Sequence, residues 1–336
     1  MAEIRHGCDE FEILIRARYP IINVISWEEE RVTEHLKNIA ESRNKKLYIW
    51  SFNTGIVPFG ITANSKHNSD ASTKDPLQAL NKVIENIEPA IFLFKDFHPF
   101  MSDRNFAIVR RLREVSDALK NSYKTLVLVT PHMHLAEDLE KDVTVLDYPL
   151  PDINDLRRLL LRIIEDVKDN PKIEVNVDER GQEELLQAAL GLTLKEAENI
   201  FAKTLIMKGR IDARDIAVIL EEKKQIIRKS GLLEYYEAAE NFECIGGLDL
   251  LKGWLMRRSL AFSEQARNFG LPAPKGALFL GIQGCGKSLS AKAVSAAWQM
   301  PLLRFDAGRL FESALGSSEE NLRRAIKVAE SVSPCI

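Results

Sequence analysis

Apolar residues along the first half of the chain follow two alternating patterns. Short runs rich in β-branched, aliphatic and aromatic residues occur at 21–26 (IINVIS), 46–52 (KLYIWSF), 90–96 (AIFLFKD), 125–131 (TLVLVTP) and 143–148 (VTVLDY). Each has the length and composition of a strand. Between them, 28–42, 76–87 and 105–121 repeat apolar positions every three or four residues, which paints one apolar stripe on a helix. Strands alternating with helices in this order predict a parallel sheet wrapped by crossover helices. The polar stretch 65–75 reads as a surface loop ahead of a helix started by Pro76.

From residue 151 to about 222 the strand pattern gives way to amphipathic helices, with GLTLKEAENIF at 191–201 marking a break and a restart. The charged segment 220–242 then leads into IGGL at 245–248, and α/β order returns. A strand is predicted at 276–282 (GALFLGI), a helix at 287–298, a strand at 301–308 and a further helix. The expected organisation is a first module over 1–235 and a second over 236–336. The first divides into an α/β part at 1–150, a helical lid at 151–222 and a linker helix at 223–235.

A chain of 336 residues, 45% hydrophobic and 28% charged, suits a globular protein of about two domains. Its 46 basic and 49 acidic residues leave a net charge of −3, so bulk charge gives no reason to expect a nucleic-acid partner. The apolar runs fall well short of the ~20 residues that span a bilayer, and the amino terminus has no apolar core of a secretion signal. An intracellular protein is expected. Cys8, Cys244, Cys285 and Cys335 form no CxxC pair, so reduced thiols are expected rather than a disulfide framework or a zinc knuckle.

The chemistry concentrates in GIQGCGKSL, Gly281 to Leu289. Gly281, Gly286, Lys287 and Ser288 meet the spacing G-x-x-x-x-G-K-S, after an apolar strand pattern and before a helical one. Glycine is required because backbone N–H groups must turn inward around phosphate oxygens, where a Cβ would block the approach. The following helix adds its positive amino end. Lys287 would neutralise β and γ phosphates, and Ser288 would offer its hydroxyl to Mg²⁺. The loop by itself fits a kinase, a GTPase or an ATPase equally.

The flanks are more specific. FECIGGLDLLKGWL at 242–255 resembles the entry segment of AAA ATPases, and 271–310 resembles the block running through their Walker A loop. The stretch 315–336, ending in SPCI, resembles what precedes their Walker B strand. Taken with the first half, the chain resembles the AAA ATPases encoded as conserved reading frames in cyanobacteria and algal plastids, in which a degenerate AAA-like module precedes an active one. The fold implied is α/β, P-loop NTPase-type parallel sheets with helices in two AAA-like modules, the second incomplete. The chain is expected to be an ATPase cut before its catalytic acids.

The resemblance implies that Gly281, Ile282, Gln283, Gly284, Cys285, Gly286, Lys287, Ser288 and Leu289 hold the triphosphate, with Mg²⁺ at Ser288 and Ile245 and Gly246 beside the adenine. The general base, sensor and arginine finger are expected beyond Ile336, which would leave this stretch alone inactive. The full-length protein is expected to hydrolyse ATP as a homo-oligomeric ring that remodels a protein client, in the cyanobacterial cytoplasm or the plastid stroma. The other reading is a nucleotide-gated scaffold with little turnover, favoured by Ala314 where threading AAA proteins carry a pore aromatic.

Several residues depart from the family pattern. In the first module, Trp27 and Glu28 to Glu30 stand where a Gly-rich loop would follow the strand, and carboxylates there repel phosphate while suiting a helix start. Asp96 resembles a retained Walker B acid, or a strand-end turn residue, with Phe97 where a catalytic Glu would stand. Cys285 replaces a common Thr and lies beside Lys287 at a helix start, where it would serve either as a redox brake on nucleotide binding or as a small residue that fits. His132 and His134 lack acidic or thiol partners at ligand spacing, as do His6 and Cys8. The HExxH zinc motif of AAA proteases is absent from the chain.

Overall fold

The computed structural model describes residues 6–60, 71–102, 104–167, 174–175, 179–208, 210–211, 216–230, 233–236, 242–262, 266, 269–272, 274–298, 300–305, 317–333 and 335–336. These fall into two compact units, 1–150 and 151–336.

Unit 1 runs α1 (His6–Arg16), β1 (Ile21–Ile25), α2 (Glu29–Ser42), β2 (Lys46–Ser51), β3 (Gly55–Pro58), α3 (Pro76–Glu85), β4 (Ala90–Lys95), α4 (Phe106–Leu119), β5 (Thr125–Thr130) and β6 (Thr144–Asp147). The sheet order is β3-β2-β4-β5-β1-β6. All pairings are parallel except β2 with β3, which are antiparallel. Central strands β1 and β5 are buried at every position, as strands covered on both faces must be. One face packs Phe92, Phe94, Leu126 and Leu128 against α3 and α4 through Leu80, Val83, Leu112 and Val115. The other packs Ile22, Val24, Ile91 and Val127 against α1 and α2 through Phe11, Ile15, Val32 and Leu36. Trp50, wholly buried, stacks on Phe94 at 4.9 Å and donates its indole N–H to Thr73 O at 2.7 Å.

All five strands expected in this unit form, as do its three expected helices. Two elements are additional. Helix α1 buries Phe11, Leu14 and Ile15, an i, i+3, i+4 set on one face. Strand β3 folds back on β2 after the turn at 52–54 and is stitched on its outer side by Ile56 N–H to Thr73 Oγ1, 2.9 Å.

Unit 2 opens with helices α5 (Ile153–Val167), α6 (Glu179–Ala189), α7 (Leu194–Lys208) and α8 (Ile216–Ser230). They share a core of Leu156, Leu160, Leu186, Phe201 and Ile219. A two-residue parallel pair, β7 (Glu174–Val175) with β8 (Arg210–Ile211), lies among them. Strand β9 (Leu233–Tyr236), helix α9 (Asp249–Ser259), helix α10 (Lys287–Trp298), strand β10 (Leu302–Phe305) and helix α11 (Ser317–Ser331) follow.

Three expectations are corrected here. The linker helix at 223–235 stops at Ser230, and Leu233–Tyr236 is a strand antiparallel to β10, a pairing suited to the aromatic residues that both strands carry. The helical segment groups with the carboxyl-terminal part rather than with the first sheet. Its last helix shares a core with α11, where Ile227 meets Ala325 and Val332. Residues 276–282 carry no strand. A strand exists through its ladder of hydrogen bonds, and among the described residues none pairs with this stretch. Leu278, Leu280 and Ile282 are accordingly more than four-fifths exposed.

Candidate functional site

The loop from Gly281 to Ser288 turns directly into α10, whose first residue is Lys287. Two of its glycines, Gly284 and Gly286, both hold φ +86°, a region that side-chain-bearing residues enter at a cost. A Cβ built on either would meet nothing within 4 Å. The glycines are therefore required by backbone conformation, and the space beside them is open. Gly281 differs: a Cβ there would lie 2.6 Å from Cys285 Sγ, so its bare Cα accommodates the thiol.

Lys287 folds back across the loop. Its ammonium donates to Gly281 O at 2.9 Å and Ile282 O at 2.7 Å, and lies 3.7 Å from Cys285 Sγ. The helix is locked on behind it by Ser290 N–H to Gly286 O, 2.8 Å. Ser288 sits exposed in the first turn, Leu289 is half-buried, and Gln283, Gly284 and Cys285 are exposed. Among the described residues, the Lys287 ammonium beside the amino end of the helix is held by carbonyls and a thiol and has no carboxylate partner. Phosphate oxygens fit that arrangement, and the first-turn Ser288 hydroxyl supplies the type of oxygen ligand that Mg²⁺ takes.

Ile245 is buried and Gly246 exposed. The 3-10 turn Phe242–Cys244 just before them packs against α10, and Lys252 of α9 donates to Ile245 O. The IGGL segment is thus brought beside the helix that carries Lys287 and Ser288. Gly247 and Leu248 both take positive φ just before α9. Ala314 lies outside the described residues.

The corresponding region of unit 1 is built differently. The order β6-β1-β5-β4-β2 places the end of β1 between the ends of β5 and β6, the edge where open α/β sheets bind ligands. No glycine loop stands there. Glu28 N–H donates to Ser26 Oγ at 3.0 Å, and the buried Glu28 carboxylate takes a 2.7 Å bond from Arg31, which also donates to Pro149 O at 2.6 Å. Glu29, in the first turn of α2, pairs with Lys95 at the end of β4, 3.1 Å away. Asp96 holds φ +52° and donates its N–H to Val129 O, so it turns the chain at the strand end. Phe97 is wholly buried against Trp50, 5.3 Å between rings.

His132 packs its edge on Trp27 at 5.0 Å, and His134 is exposed. Among the described residues no group of three His, Cys, Asp or Glu side chains could hold a metal, and no helix is long and apolar enough to cross a membrane. Sequence reasoning foresaw the carboxylates at the head of α2 but missed their partners Arg31 and Lys95. Arg31 was legible at i+3 from Glu28, whereas Lys95 comes from another strand and had no local signal.

Three family models match the chain: the N-terminal domain of SpoVK-like AAA ATPases over 8–148, the second domain of the same group over 154–230, and the ATPase family associated with various cellular activities (AAA) over 277–336. Among curated proteins it is similar to the "Uncharacterized AAA domain-containing protein ycf46" of Trieres chinensis, 40% identical over 98% of this chain and 64% of the relative. The ycf46 protein of Guillardia theta is 36% identical over 97% of this chain and 62% of its own length, and that of Pyropia yezoensis 34% over 97% and 64%. The chain thus spans less than two thirds of the length of these relatives.

Proposed function

The chain belongs to the AAA ATPases, with two SpoVK-like domains followed by an AAA segment and homology to ycf46 proteins along nearly its whole length; from that premise we propose that it binds ATP with Mg²⁺ at the loop Gly281–Leu289, and that the full-length protein hydrolyses it. The reading rests above all on Lys287, an ammonium held by two loop carbonyls at the head of α10, beside two glycines in left-handed conformation. The arrangement supplies a cation, two glycines in left-handed conformation and a helix amino end at one place.

In this reading Lys287 exchanges the carbonyls of Gly281 and Ile282 for phosphate oxygens. Gly284 and Gly286 let the backbone close around the same oxygens, and Ser288 holds Mg²⁺. When bound there, Mg²⁺ would offset the negative charge that develops on phosphoryl transfer. Ile245 and Gly246 border the base. The work done is remodelling of a protein client by a homo-oligomeric ring, in the cyanobacterial cytoplasm or plastid stroma.

ATP turnover of the full-length protein across a range of protein concentrations tests the reading. Specific activity that climbs with concentration and disappears in Lys287→Ala supports a ring whose sites neighbours complete. ATP binding unchanged in Lys287→Ala would remove the loop from the assignment. One feature of the sequence favours a second reading: Ala314 stands where threading AAA proteins carry an aromatic residue. A nucleotide-gated scaffold would bind ATP tightly and turn it over near zero at every concentration.

A further inference from the structure

Ahead of β2, unit 1 gathers basic side chains, of which Lys45 and Arg18 are left without an ion pair among the described residues. Lys45 lines an open cleft of about 310 Å³ between the second half of α2 and the β2–β3 hairpin. Lys37, Lys46 and Glu41 share the rim, with Leu47 and Phe59 among the apolar lining. Lys37 is paired with Glu34 at 3.0 Å and Lys46 with Glu88 at 2.7 Å. Lys45 has no carboxylate within ion-pair distance among the described residues. Neither has Arg18, whose guanidinium lies 4.3 Å over the Tyr123 ring. Arg43 is tied to Glu12 at 2.5 Å.

Partial burial, and the charges of Arg18 and Arg43, pull the pKa of Lys45 below its ordinary value. A half-buried ammonium facing two guanidiniums is unfavourable unless an anion joins it. The cleft volume sits at the lower end of the range of about 300–1,000 Å³ typical of small-molecule sites. Apolar and cationic lining adjoin in it, with Lys37 Nζ 5.8 Å over the Phe59 ring.

We propose that this cleft binds a small phosphate monoester with a planar or apolar body, its phosphate on Lys45 between Lys37 and Lys46 and its body against Phe59 and Leu47. A monoester carries close to two negative charges at neutral pH, a match for lysines that act as compact point charges. Glu41 on the same rim restricts the anionic part to one end of the ligand. The site lies in unit 1 and is independent of the loop at 281–289.

The test is calorimetric titration of AMP, and separately of inorganic phosphate, into the Lys287→Ala chain, where the glycine loop is silenced. AMP is expected to bind more tightly than phosphate. Lys45→Met is expected to weaken AMP by about tenfold or more, and Phe59→Ala by about threefold. Lys45→Met removes an unfavourable charge and keeps the aliphatic stem, so its thermal unfolding should not fall. No binding of AMP, equal affinity for AMP and phosphate, or an affinity indifferent to Lys45→Met would each overturn the proposal. Loss of ATP binding in Lys287→Ala with AMP binding retained separates this cleft from the loop.

Discussion

Lys95 Nζ reaches Glu29 Oε2 at 3.1 Å, joining the end of β4 to the first turn of α2 at the carboxyl edge of the unit 1 sheet. A helix amino end in that place ordinarily suits a phosphate, and here the protein's own carboxylate takes the position with its own cation. Arg31 holds Glu28 in the same way. A photoreactive ATP analogue is therefore expected to label the segment around 281–289 and to leave 21–35 and 90–98 unlabelled. Peptide mapping checks this, and label on the β1–α2 turn would count against a filled site. Lys95→Met is expected to cost less than about 1 kcal/mol, because the pair is partly exposed.

Gly281 and Cys285 are coupled by the 2.6 Å that would separate a Cβ at 281 from the Cys285 sulfur. Gly281→Ala should displace the thiol, disturb the loop beside Lys287 and weaken ATP binding. Cys285→Ala in the same chain removes the obstruction and should recover most of the loss. Such non-additivity is the signature of direct contact. ATP affinities of the two single variants and the double variant decide it, and simple additivity would break the coupling.

Gly284→Ala and Gly286→Ala act by another route. Open space surrounds both positions, so no clash is created, yet both hold φ +86°. Each substitution is expected to cost about 1–2 kcal/mol of local strain and to abolish ATP binding while α10 persists. Circular dichroism and ATP titration on the same samples separate the two effects.

The parallel strands and crossover helices of unit 1 were legible because their signals are local: alternating periodicity, Pro76 at a helix start, apolar runs of strand length. The glycine loop was legible for the same reason, since its chemistry is compressed into consecutive residues. What escaped depends on distant partners. The strand expected at 276–282 has the right composition but no ladder to join among the described residues, whereas Leu233–Tyr236, read as the end of a helix, found one in β10. Helix α1 was readable in the spacing of Phe11, Leu14 and Ile15 and was obscured by the charges scattered through the amino terminus. The Lys95–Glu29 pair joins residues far apart in the chain, so nothing near either one announces it.

Lys124 illustrates a long-range cap of the same kind. Its buried ammonium donates to Val83 O, Ile84 O and Asn86 O at 2.9, 2.8 and 2.6 Å, closing the carboxyl end of α3. Those carbonyls carry the negative end of the helix. Lys124→Met leaves them without the donor and is expected to lower stability by about 2–3 kcal/mol. Urea unfolding measures the change, and a loss below about 0.5 kcal/mol would place the helix end in contact with water instead.

Lys223 of α8 gives unit 2 a pH dependence whose sign follows from its burial. Its side chain donates to Leu190 O at 2.7 Å, next to Gly191 at the end of α6, and desolvation lowers its pKa from 10.5 to about 8, against a small opposing influence from Cys335. Below pH 8 the folded and unfolded chains both carry the proton, and the folded state bears the full cost of a buried charge. Between about pH 8 and 10.5 the folded lysine is neutral while the unfolded one stays charged. The unfolded state then holds more protons, so stability rises with pH across this window, by up to about 3 kcal/mol. Other lysines and tyrosines titrate in the same range, and comparison with Lys223→Met cancels their contribution. The wild-type chain should gain on Lys223→Met steadily from pH 7.5 to 10.5, with a parallel trend in the unfolding midpoint. A constant difference would mean that the ammonium keeps its charge through the bond to Leu190, and that α6 and α8 are joined by a permanent cation.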